Sequence, residues 1–197
     1  PSGTTAERGS RGRGIFGGGY GSSPHPTMNT MDYVTIATLG NASDFGDLTV
    51  ARSSKPGGSS SIRGCFIAGR FSPTAASYNV IDYITISSTG NAFDFGDLIH
   101  NNNPDQKGTS NQIRTVYAGG YNLPGSSAEN FVTTMGYFTI ASLGNSSDFG
   151  NLSQKGRVTF QGSNGTRGIF AGRRVVSDRY NTIEYVNIMT TGNALDF

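Results

Sequence analysis

Four Asp-Phe pairs, Asp44-Phe45, Asp94-Phe95, Asp148-Phe149 and Asp196-Phe197, are the residues of this chain that most suggest chemistry. Glycine follows the first three, giving Asp-Phe-Gly, the element whose aspartate holds magnesium in protein kinases. Neither a glycine-rich loop with a lysine-bearing strand nor a catalytic loop accompanies it here, so the match fails on context. Asp44 with Asp47 and Asp94 with Asp97 offer the oxygen ligands calcium takes, but calcium needs about six to eight oxygens, and Asn151 replaces the second acid in the third copy. Gly17-Gly18-Gly19 resembles a phosphate cradle without the Gly-Lys-Ser or Gly-Lys-Thr that completes one. His25 and His100 are the two histidines, in unrelated polar stretches from which no Ser-His-Asp set or metal cluster can be assembled. No catalytic, metal-binding or cofactor-binding residue is assigned, and no cofactor is expected.

Recurrence accounts for these letters better than a site does. The stretch IDYITISSTGNAFDFGDL from Ile81 has close copies starting at Met31, Met135 and Ile183. Its tyrosines (Tyr33, Tyr83, Tyr137, Tyr185) and glycines (Gly40, Gly90, Gly144, Gly192) both step by 50, 54 and 48 residues. A residue repeated in register serves the repeated fold. Tyr33, Phe45, Tyr83, Phe95, Tyr137, Phe149, Tyr185 and Phe197 are accordingly structural, and residues 1–197 form one array with units near 1–50, 51–100, 101–154 and 155–197. The four DF aspartates are expected to accept backbone hydrogen bonds in the turn after Gly-Asn.

Each unit divides into four short strands. The basic, polar leader 1–13 occupies the slot that ARSSKPGGSSSI fills from Ala51, which predicts a first strand and turn. Aromatic runs closed by glycine follow (RGIFGGGY, RGCFIAGR, RTVYAGGY, RGIFAGRR) and predict buried strands with close neighbours. The third piece alternates: Asp82, Ile84 and Ile86 share one face, Tyr83 and Thr85 the other. Gly-Asn supplies a turn, and the Phe-bearing piece after it is the outer strand. Arg13, Arg63, Arg114 and Arg167 stand in register before the second strand, where an ion pair with an acid of the repeat is expected.

Composition agrees with short strands and aromatic packing: 29 glycines, 12 phenylalanines, 9 tyrosines, no tryptophan and only 14% charged residues. A net charge of +2 gives no reason to expect a nucleic-acid partner, and the single short RGSRGRG stretch of the leader adds little. Cys65 is the one cysteine, which excludes an intrachain disulfide and a cysteine-based zinc site and leaves the redox compartment open. No apolar run approaches the roughly 18 residues of a spanning helix, so membrane insertion is not expected. Pro1 at the start suggests a processed or partial piece.

The units resemble the kelch repeat of β-propellers. Paired glycines end the second strand at Gly18-Gly19 and Gly119-Gly120, with Ala68-Gly69 and Ala171-Gly172 as variants. An acidic residue precedes the tyrosine at Asp32-Tyr33, Asp82-Tyr83 and Glu184-Tyr185, Gly136-Tyr137 departing from this, and phenylalanine stands where kelch repeats carry tryptophan. The resemblance implies an all-β, kelch-like β-propeller of four-stranded antiparallel blades, four of them in this chain. Since the last copy stops before its Gly-Asp-Leu, the expectation is a part of a larger ring or longer repeat protein. Over essentially its whole length the chain is also similar to the GNxxDFGDL repeat-rich structural proteins of tailed phages of marine bacteria, cyanophages among them. That similarity implies a non-enzymatic, tail- or fibre-associated virion component. The partners it implies are other virion proteins and a host-surface glycan or protein, with assembly into homo-oligomers open.

Binding is expected where the copies disagree, in loops 21–30, 71–80, 122–134 and 175–182. The large residues in and beside them, Tyr20, His25, Arg70, Tyr78, Tyr121, Phe131, Arg174 and Tyr180, suit stacking on sugar rings or contact with a protein. Two alternatives stand beside this: a pure scaffold docking other virion proteins, and a propeller enzyme acting on glycans.

Overall fold

Period-two alternation fixes the middle strand of each unit. In the second unit Asp82, Ile84 and Ile86 are buried, Tyr83 is half-buried and Thr85 is exposed, as the two-faced pattern requires. The computed structural model describes residues 12–21, 26–53, 56–71, 74, 76–99, 106–122 and 130–197, and among these there are strands and no α-helix. Residues 1–11 of the leader, His25, His100 and parts of the expected binding loops (22–25, 72, 73, 75 and 123–129) lie outside the described residues.

The strands form four antiparallel sheets, each a meander. The first holds β1 (Arg13–Tyr20), β2 (Thr27–Thr35) and β3 (Ser43–Asp47). The second holds β4 (Gly57–Ser59), β5 (Arg63–Arg70), β6 (Ser77–Thr85) and β7 (Phe93–Asp97). The third holds β8 (Lys107–Ser110), β9 (Arg114–Ala118), β10 (Thr134–Thr139) and β11 (Ser147–Asn151). The fourth holds β12 (Arg157–Ser163), β13 (Arg167–Val175), β14 (Asp178–Asn187) and β15 (Leu195–Asp196). The sequence units thus map one to one onto sheets, and the Phe-bearing piece is the outer strand of each.

Glycine ends the second strand because the ladder slips there. Register shifts between Gly17 and Gly19, Ile67 and Gly69, and Ala171 and Arg173. The residue at the slip is left-handed: Gly18 at φ 59°, Ala68 at 52° and Gly172 at 65°. A bulge of this kind suits glycine and tolerates alanine at a cost.

The hydrophobic side chains do not converge on one centre. Met31, Phe45 and Leu48 of the first sheet pack with Ile84 and Ala92 of the second. Ile81, Phe95 and Leu98 of the second meet Tyr117, Phe138 and Ile140 of the third. Met135, Phe149 and Leu152 of the third meet Phe170, Val186 and Ile188 of the fourth. Each core is therefore a junction between consecutive sheets, as expected where a repeat cannot bury its own face. The inner strands are also tied: the Ser59 N–H donates to Ser110 Oγ at 3.3 Å, Thr109 Oγ1 to the Gly162 carbonyl at 3.0 Å and Ser163 Oγ to the Ser110 carbonyl at 2.7 Å.

The expected loop 175–182 is not a loop. Pairing of Val175 with Asp178, Arg174 with Arg179 and Arg173 with Tyr180 carries β13 and β14 almost to their connection. Only Val176 and Ser177 turn the chain, with Val176 held at φ 54°, a strained setting for a β-branched residue. Loops 21–30 and 71–80 are likewise shorter than expected, because β2 starts at Thr27 and β6 at Ser77.

Candidate functional site

Two groups of residues compete for a functional reading: those that recur in register and those at the loop end of the sheets. The recurring set is absorbed by the junctions. Each Gly-Asn turn docks on the outer strand of the preceding sheet. Gly90, Gly144 and Gly192 donate their N–H to the carbonyls of Phe45, Phe95 and Phe149, at 2.6, 2.8 and 2.7 Å. In return Asn91, Asn145 and Asn193 accept, through Oδ1, the N–H of Asp47, Asp97 and Asn151 at 3.0, 2.9 and 3.0 Å. A Cβ on Gly46, Gly96 or Gly150 would overlap the backbone of the docked turn. The glycine of Asp-Phe-Gly is thus the seat for the next unit, and the accepting side chain is asparagine, while Asp44, Asp94, Asp148 and Asp196 are exposed.

Among the described residues, no ion pair of the expected kind joins the recurring arginines to acids of the repeat. Each stacks instead on its own unit's tyrosine, Arg13 on Tyr33, Arg63 on Tyr83, Arg114 on Tyr137 and Arg167 on Tyr185, at 4.7, 4.4, 4.1 and 4.6 Å from the ring centre. The tyrosines meet Phe45, Phe95, Phe149 and Phe197 edge-on. Nη1 of Arg13, Arg63 and Arg114 then reaches the next sheet and donates to the carbonyls of Ile86, Ile140 and Ile188, at 2.9, 2.7 and 3.3 Å. A planar guanidinium can do both at once.

The acids before the tyrosines are also junction groups. Asp82 accepts from Thr49 N–H at 3.1 Å and Thr49 Oγ1 at 2.5 Å, and pairs with Arg52 at 2.9 Å, both partners fully buried. Glu184 accepts from Ser153 N–H at 2.7 Å and pairs with Arg173. Burial lowers the pKa of both arginines against the pull of their carboxylates. The third unit solves the same problem without charge. Gly136 leaves no room for a side chain because the Tyr117 hydroxyl occupies its space. That hydroxyl is 2.6 Å from Ser146 Oγ, which accepts the Ile99 N–H at 2.9 Å.

At the other end of the sheets lie the residues expected to bind. Tyr20, Arg174 and Tyr180 are exposed, and Arg174 Nε donates to the Val176 carbonyl at 2.9 Å. Arg70 is half-buried, with its backbone bridged to Ser53. Tyr78 is half-buried against Phe71, ring centres 6.4 Å apart. Tyr121 and Phe131 differ from expectation: they are buried with Val175, 5.7 Å apart, under the Arg157 guanidinium. Nothing in their sequence context distinguished them from Tyr20; the aromatic pair bridges across the long third connection and packs on the fourth sheet.

A cavity of about 460 Å³ opens near the inner strands, between β1 and the β4–β5 hairpin. Arg13, Lys107, Gln161, Cys65 and glycine backbone line it, and among the described residues no Asp, Glu or His does. Burial pushes the Cys65 thiol up to about 12, so it is a poor nucleophile. Among the described residues, no three His, Cys, Asp or Glu side chains gather as a metal site would need. No protein-family model matches the chain, and no curated protein does.

Proposed function

We propose that this chain is a kelch-like β-propeller module whose sheets are blades and whose loop end binds a partner, without catalysing a reaction. One observation carries this reading. The side chains that recur in register are spent on contacts between units, whereas Tyr20, Arg174 and Tyr180, which do not recur as a set, are exposed at the same end of their sheets. Exposed tyrosine and guanidinium groups on a stiff scaffold suit stacking on sugar rings and protein contact at low entropic cost. The resemblance of the GNxxDFGDL repeat to tailed-phage structural proteins supports a place on a virion tail or particle surface, with a host-surface glycan or protein as the partner. Against a glycan-cleaving enzyme stands the cavity near the inner strands: among the described residues that line it there is no Asp or Glu, and glycoside hydrolysis needs two acids flanking the bond.

A glycan array and a hydrolysis assay on one sample test the reading. It predicts binding without turnover, weakened at least about tenfold by Tyr180→Ala with Arg174→Ala, since two contacting side chains are worth more than 1.4 kcal/mol together. Turnover would overturn it. Failure to bind glycans or host proteins, with capture by other virion proteins, would establish the scaffold instead.

A further inference from the structure

The three internal junctions define one chemistry, and the first and fourth sheets each present one half of it exposed. On the first sheet, the face that elsewhere receives the preceding unit is open. Ile36 is 62% exposed, whereas its equivalents Ile86, Ile140 and Ile188 are 5%, 1% and 0% exposed. Phe16 is 59% exposed and Asp32, Asn41 and Ala42 are exposed with it. Among the described residues, Asn41 has no hydrogen-bond partner of the kind Asn91, Asn145 and Asn193 have.

On the fourth sheet the opposite face is open. Phe197 is 67% exposed against 2%, 3% and 2% for Phe45, Phe95 and Phe149. Ile183 is exposed where Met31, Ile81 and Met135 are fully buried. Arg167 stacks on Tyr185 like its counterparts, but it alone of the four is exposed, and among the described residues no carbonyl of a following sheet receives it.

We infer that these two faces bind one another between copies of this chain, head to tail, with the first sheet of one copy docked on the fourth sheet of another. The junctions already described supply the fit. Gly40 N–H of one copy donates to the Phe197 carbonyl of the other, Arg167 donates to the Ile36 carbonyl, and Ile36 and Phe16 cover Phe197 and Ile183. Both faces are exposed in the same chain, so they do not cover one another within it. A head-to-tail contact of two different faces is heterologous; it closes into a ring or continues as a filament according to its rotation.

Sedimentation velocity over a concentration series tests this with two single-face variants, Ile36→Glu and Phe197→Glu. The wild-type chain is expected to associate reversibly, and each variant alone to sediment as a monomer with an unchanged circular dichroism spectrum. Mixed in equal amounts, the two variants are expected to give a dimer and nothing larger, because each retains only the face the other lacks. A wild-type chain that stays monomeric at every concentration would overturn the inference. Association that survives in both single variants, or a mixture that stays monomeric, would do the same.

Discussion

The Tyr117 hydroxyl lies 2.6 Å from Ser146 Oγ, buried where the third sheet meets the second. Together the two side chains do what a carboxylate does at the neighbouring junctions. Asp82 and Glu184 each accept the first linker N–H from the preceding sheet; here Ser146 accepts it from Ile99. Phe66 and Phe170 stand where Tyr117 does, and Ala92 and Ala194 where Ser146 does. Three exchanges in one unit thus conserve one buried hydrogen bond to the backbone.

Tyr117→Phe is therefore expected to lower stability by about 1–2 kcal/mol, the cost of a buried hydroxyl bond lost with its partner left in place. Ser146→Ala is expected to cost a similar amount, and the double variant less than the sum by about 1 kcal/mol, since the pair acts as a unit. Urea denaturation of the four proteins measures this. Strict additivity would mean that the two groups are not coupled.

The Arg52–Asp82 pair makes a sharper case. Asp82→Ala removes the carboxylate that pairs with the buried Arg52 guanidinium, and breaking such a pair costs about 3–5 kcal/mol. Asp32 holds the same place in the first unit but is exposed, so Asp32→Ala is expected to change stability by no more than about 0.5 kcal/mol. Thermal melts of the two variants at a dilution where the chain is monomeric would separate them by many degrees.

Alkaline pH should expose the buried thiol and phenol. Burial raises Cys65 from 9.0 and Tyr117 from 10.0, each to about 12. Both stay neutral in the folded chain while the unfolded chain ionises, so the stability they contribute is complete below pH 9 and is lost as pH rises toward 12. Stability should begin to fall near pH 9, and Cys65→Ala should move that onset toward pH 10, where Tyr117 takes over. A denaturation series from pH 7 upward checks it, and an onset unmoved by the substitution would exclude the thiol as its source.

Much of the fold was legible because its period is written in side chains. Strand order within a unit, the outer position of the Phe-bearing piece and the two-faced third strand all follow from the spacing of Tyr83, Gly90 and Phe95 and from alternation along Ile81–Ile86. The cations that pair with the acids were not legible. Asp82 and Glu184 recur in register, but Arg52 comes from a linker and Arg173 from a strand, so no fixed spacing joins them. The signal for the third junction was present, in the coincidence of Tyr117, Gly136 and Ser146 within one copy; its meaning needed the two strands laid side by side. At the loop end, sequence could not tell Tyr20 from Tyr121, because burial there depends on Arg157 and Val175 of the next sheet.

The central claim is that the repeated letters are fittings between units, so that position in the array and not the motif itself decides what each residue does. Asparagine to alanine at all four Gly-Asn turns tests it most directly. Asn91→Ala, Asn145→Ala and Asn193→Ala should each lower stability by about 1 kcal/mol, the net worth of one hydrogen bond. Asn41→Ala, in the monomeric chain, should change nothing. Equal losses at all four positions would contradict the account, because they would place the role of asparagine inside its own turn.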